Sequence, residues 1–147
     1  MPTVATTIDI DATPAELWRV ITDLPAQDEW NPFMSGARGE LRVGGRFAFD
    51  AQVGKRRLKI KARFKTVDAE RELSWGGPGV WVVGKILRAH HWIRLTPIDG
   101  GTRVDHGEEF RGLIPRLLGR RLIDEVQPTY EKMNRALADR VAAQRSD

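Results

Sequence analysis

The sequence predicts an α+β domain in which an antiparallel sheet of about six to seven strands is covered by a long C-terminal helix. Three observations predict it. Apolar and polar residues alternate with period two through most of the stretch from Leu41 to Phe110, the mark of half-buried strands. Turns of hairpin length, among them Gly44-Gly45, Gly54-Lys55 and Asp99-Gly100-Gly101, join these runs. Towards the C-terminus the period changes to three and four, with Leu117, Leu118, Leu122, Ile123, Val126, Tyr130, Met133, Leu137 and Val141 on one stripe. Strands grouped before a helix, rather than alternating with helices, indicate an antiparallel sheet.

The first strand is predicted from Val4 to Asp11, where Val4, Thr6, Ile8 and Ile10 share a face. Thr13-Pro14-Ala15-Glu16 opens a helix: Thr13 suits the N-cap, Pro14 the first helical position, and Glu16 stands where a capping box needs it. Leu17, Val20, Ile21 and Leu24 form its apolar face, and Pro25 ends it. Asp28-Glu29-Trp30-Asn31-Pro32-Phe33 reads as a loop with two large aromatics, expected to cap one end of the core. Period two then returns at Leu41 and Val43. It continues through Phe47, Phe49, Ala51 and Val53, and through Leu58, Ile60, Ala62 and Phe64. Leu73 and Trp75 end before the turn cluster Gly76-Gly77-Pro78-Gly79. A long strand follows over about Val82 to Pro97, and a last one over Thr102 to Phe110. The closing helix is expected over roughly Pro115 to Ala143, kinked near Pro128. Its apolar stripe should lie across the concave side of the sheet, because no other element could cover so many inward residues.

A chain of 147 residues without a linker, repeat or low-complexity segment implies one domain over 1–147. Such a chain buries roughly 70% of its unfolded surface, enough for a core and a cavity. The lack of cysteine excludes disulfides, thiolate catalysis and cysteine metal sites, and fits a cytoplasmic location. No signal peptide or transmembrane run is expected. The net charge of +4 is a small excess of 24 basic over 20 acidic residues. Lys55, Arg56, Arg57, Lys59, Lys61, Arg63 and Lys65 form a basic stripe on one hairpin, but no stacking aromatics interleave with it, so nucleic acid is not expected as a partner. Arg111, Arg116, Arg120 and Arg121 surround Leu113, Ile114, Leu117 and Leu118, a mixture that allows at most transient membrane contact.

The order of elements, Trp30-Asn31-Pro32-Phe33 after the first helix, the run GELRVGGRF from Gly39, HHWIRLTP from His90 and GGTRVDHGEEFRG from Gly100 together resemble the SRPBCC or START-like helix-grip superfamily. The likeness is closest to its polyketide cyclase/dehydratase-like branch and covers about residues 3–143. It implies a curved sheet gripping the C-terminal helix, short N-terminal helices at one end and an interior that holds a hydrophobic molecule. It also implies one of two functions: carriage of a lipid- or polyketide-like ligand, or cyclase/dehydratase chemistry upon it.

Alternation turns Leu87, Ala89, His91, Ile93 and Leu95 inward and His90, Trp92 and Arg94 outward. On the last strand Val104, His106, Glu108 and Phe110 share the inner face. His91, His106 and Glu108 are therefore the candidate catalytic residues, and three readings stay open: a structural polar network, the polar anchor of a ligand pocket, or an acid–base set. Two histidines and a carboxylate could also suit a metal, but neither a metal nor a cofactor is assigned. The candidate ligand-binding set adds Trp30, Phe33, Phe47, Phe49, Phe64, Trp75, Trp81, Tyr130 and Met133. A cavity is expected between Trp30, Phe33, Trp75, Trp81 and His91, with Trp81 at its opening. The sequence leaves open whether there is catalysis, and whether the chain is a monomer or a homodimer.

Overall fold

The computed structural model describes residues 2–77 and 87–146. Seven strands form one antiparallel sheet: β1 (Thr3–Ile10), β2 (Met34–Gly39), β3 (Arg46–Val53), β4 (Arg56–Asp68), β5 (Glu72–Gly77), β6 (Arg88–Ile98) and β7 (Gly101–Arg111). Strands β2 to β7 lie side by side in chain order, and β1 completes the sheet beside β7. Among the described residues the helices, besides a short 3-10 turn at Pro25–Glu29, are α1 (Pro14–Thr22), α2 (Leu113–Leu118) and α3 (Arg120–Ser146).

The capping box of α1 forms as read. Glu16 N donates to Thr13 Oγ1 at 3.2 Å, and Thr13 N donates to Glu16 Oε2 at 2.7 Å. The buried face of α1 is Leu17, Val20 and Ile21. α3 lies against β1, β3 and β7 and buries Val126, Tyr130, Met133, Asn134, Leu137 and Val141, the expected stripe with one polar member. Burying apolar side chains of this size contributes roughly 1.5–3 kcal/mol each. The expected grip of sheet on helix is thus the observed architecture.

Two elements depart from the sequence reading. The strand expected at Leu41 and Val43 lies earlier, at Met34–Gly39, and both residues are exposed. The cause is Asn31: its Oδ1 accepts from the backbone N–H of Phe33 at 2.9 Å and of Met34 at 3.2 Å, and so starts the edge strand at once. The C-terminal helix is also two helices. Gly119, at φ 51°, ends α2, where Leu117 and Leu118 face outward instead of continuing the stripe. Pro128 sits within the continuous α3. The first part of the long strand expected from Val82, with Trp81 before it, lies outside the described residues.

Candidate functional site

Paired strands set the site. His91 on β6 faces Glu108 on β7 in the register, and His106 faces Thr6 on β1. All four residues turn inward towards Tyr130 and Asn134 of α3. His91 and His106 are each 1% exposed, while the Glu108 side chain keeps 13%.

The polar groups form one line. Thr6 Oγ1 donates to the His106 carbonyl at 2.7 Å and accepts from Asn134 Nδ2 at 2.8 Å. Asn134 Oδ1, an acceptor, lies 2.8 Å from His106 Nδ1, so that nitrogen carries the proton. His106 Nε2 is then a lone pair, and it receives the proton of His91 Nε2 at 2.7 Å. The remaining nitrogen, His91 Nδ1, is therefore an acceptor. It meets the Tyr130 hydroxyl at 3.3 Å and Glu108 Oε2 at 3.5 Å. Every proton in the line is assigned by the one before it, starting from the Asn134 amide.

Burial dominates the ionisation of all three titratable groups. It pushes His91 down to about 3, with further repulsion from His90. It holds His106 well below the usual histidine range, assisted by His91 and opposed by the bond to Asn134. It raises the Glu108 carboxyl to about 8, against a lowering influence of His90. At neutral pH both imidazoles are neutral and Glu108 mostly holds its proton. The 3.5 Å contact of His91 with Glu108 is thus between neutral groups, not an ion pair.

Aromatic rings enclose the line. His91 is stacked against Trp75 at 4.2 Å and 11° and against Phe33 at 5.7 Å and 21°. His106 stacks on Tyr130 at 4.6 Å. Phe47 joins Phe49, Phe64 and Trp75 in one contiguous cluster. Trp30 and Met133 lie a little apart, with Trp75, around a small void. That void is far smaller than the cavity expected: among the described residues the space bordered by Trp30 and Trp75 is about 10 Å³, room for about one water, while Phe33 and Trp75 stack on His91 beside it. Trp81, expected at the opening, lies outside the described residues.

His91, His106, Glu108, Phe33, Phe47, Phe49, Phe64, Trp75 and Tyr130 are thus brought together. Asn134 and Thr6 complete the line and were not among the candidates. Both could have been found, as the polar members of otherwise apolar faces. The two imidazoles turn Nε2 upon each other rather than jointly towards a third point, and among the described residues no group of three His, Asp or Glu side chains could hold a metal ion.

A curved antiparallel sheet closed over a long C-terminal helix, with a polar line buried between them, defines a START-like helix-grip protein. The chain belongs to the family described as polyketide cyclase/dehydrase and lipid transport, whose model matches residues 1–143. No curated protein matches the sequence. Among solved structures, TTHA0849 of Thermus thermophilus superposes with a TM-score of 0.77 at 20% identity, covering 97% of this chain and 99% of that one. The ZhuI aromatase/cyclase of a Streptomyces strain gives 0.76 at 14% identity, with 96% and 93% covered. A START superfamily protein of Mycobacterium smegmatis gives 0.74 at 15% identity, with 97% and 98% covered. At these identities the likeness establishes the fold alone.

Proposed function

We propose that the chain is one ligand-binding domain that takes a small hydrophobic or aromatic molecule, lipid- or polyketide-like, between the sheet and α3. The observation that carries this reading is the state of His91 Nδ1. It is the acceptor at the end of the polar line, and both of its contacts are long, at 3.3 and 3.5 Å. A ligand hydroxyl or enol would make a shorter bond there while its apolar body replaced ring-to-ring contacts with Trp75 and Phe33. The void of about 10 Å³ requires these side chains to move when a ligand binds.

A second reading is supported by the pairing of Glu108 with His91. Near pH 7 one is a protonated carboxylic acid and the other a neutral base, a set able to run a dehydration or an aldol closure. His91 Nδ1 would take a proton from the carbon beside a carbonyl. Glu108 would deliver its own proton to the leaving hydroxyl, which departs as water, or to the carbonyl oxygen in a cyclisation. His106 and Asn134 would hold the imidazole tautomer that keeps Nδ1 free to accept.

Native mass spectrometry of gently purified protein, with titration by an apolar fluorescent probe, tests the first reading. A co-purified small molecule, or probe binding that quenches tryptophan emission, is expected. Folded protein that yields neither would sink it. Glu108→Gln then separates the two readings: a carrier loses affinity, whereas an enzyme keeps ligand binding and loses turnover.

A further inference from the structure

Helix α2 buries Pro115 and turns most of its length outward. Leu113, Ile114, Leu117 and Leu118 are 56%, 40%, 76% and 43% exposed, a concentrated apolar patch on one short element. Arginines surround it: Arg111, Arg116, Arg120 and Arg121 are all exposed. Arg111 pairs with Glu109, and Arg120 lies 3.9 Å from Asp124. Arg116 and Arg121 have no acidic partner among the described residues.

A second element brings the same chemistry to the same end. The tip of the β3–β4 hairpin abuts the first turns of α3, where a Cβ built on Gly54 would stand 3.0 Å from Glu125 Oε1. That tip exposes Lys55, Arg56 and Arg57, followed by Leu58 at 45%. Leucines set among arginines and lysines, on two elements separated by more than fifty positions in sequence but joined through α3, form one cationic and apolar end.

We infer that this end docks on the surface of an anionic lipid bilayer. The leucines of α2 enter the boundary between headgroups and acyl chains, and the surrounding guanidinium and ammonium groups meet lipid phosphates. Charge argues against the nearest rival, a second copy of the chain: two such patches face to face would set arginine against arginine. Docking of this kind also brings the end of β7, which carries Glu108 and Phe110, close to the membrane, since that strand leads directly into α2. It does not depend on the identity of an interior ligand, and its test uses none.

The test is co-sedimentation of the full chain with vesicles of phosphatidylcholine alone or with phosphatidylglycerol added. The wild-type protein is expected to partition at least about tenfold more strongly onto the anionic vesicles and to be released by salt. Leu113→Asp with Leu117→Asp should abolish binding, and Arg116→Glu with Arg121→Glu should remove the anionic preference. All four side chains are exposed, so circular dichroism and melting temperature should be unchanged. Equal sedimentation with both vesicle types, or wild-type binding by the leucine variant, overturns the inference. So does a dimer in light scattering that Leu117→Asp dissociates while vesicles bind nothing.

Discussion

At the scale of the residue, the buried line from Thr6 to Glu108 is a chain of obligations. A polar group out of reach of water loses about 1–3 kcal/mol if its partner is removed, yet little if both partners go together. Asn134→Leu keeps the volume but leaves His106 Nδ1–H and Thr6 Oγ1 short of a partner, so chemical denaturation should register a loss of about 1–3 kcal/mol for each. Adding Thr6→Val should recover part of that loss, and a strictly additive double mutant would contradict a shared network. The inward histidines were legible because strand alternation is rigid: Leu95, Val104 and Phe110 fix the faces, and His91 and His106 must follow. Asn134 was overlooked because a helix stripe read only for apolar residues skips the polar one among them. The proton assignments were beyond reach, since they depend on distances between elements far apart in the chain.

At the scale of the element, two glycines carry different constraints. Gly107 lies under the ring of Trp92, and a Cβ there would come within 2.6 Å of that ring and 2.5 Å of the Val4 carbonyl oxygen. Trp92, expected to face outward, therefore covers the convex side of β7, with the Arg94 guanidinium 5.1 Å from its ring centre. Gly107→Ala must displace both the ring and a β1 partner, so a loss of about 2 kcal/mol or more in thermal or urea unfolding is expected. Gly119→Ala meets no atom within 4 Å but must hold φ 51° with ψ −123°, a combination that a Cβ disfavours strongly, so its loss of about 1–3 kcal/mol comes from the backbone and not from contacts. No measurable loss at either glycine would contradict this account. The same comparison explains what was legible among the elements. The start of α1 was readable because its capping box is local. The edge strand β2 was not, because MSGARG has no apolar alternation and owes its start to the Asn31 side chain. The break at Gly119 was hidden by leucines that continue the helical period but face outward.

At the scale of the whole molecule, the buried titratable groups set how stability varies with pH. His91 and His106 stay neutral in the folded protein well below 6.5, where the unfolded chain takes up protons on both. Folding is therefore progressively weakened as pH falls below about 6.5. Glu16, held at about 2 chiefly by its bond to Arg145, acts in the same direction at lower pH: its contribution is present above 4.5 and lost as the carboxylate protonates. Glu108 acts in the opposite sense. Its folded-state value of about 8 lies above the ordinary 4.5, so the folded protein holds a proton that the unfolded chain has released, and stability falls as pH rises through that window. Between 4.5 and 6.5 the two histidines outweigh the one carboxyl, and stability rises with pH. Between 6.5 and 8 the raised Glu108 carboxyl acts among the described residues without the histidines' opposition, and stability should decline by about 2 kcal/mol at about 1.4 kcal/mol per unit. The expected profile is a dome with its top near pH 6.5. Glu108→Gln cannot ionise, so it should flatten the alkaline limb and steepen the rise between 4.5 and 6.5, where the histidines then act unopposed. Urea unfolding of both proteins across the range checks this. An alkaline decline that persists in Glu108→Gln would mean that some other group, and not the neutral acid beside His91, governs that limb.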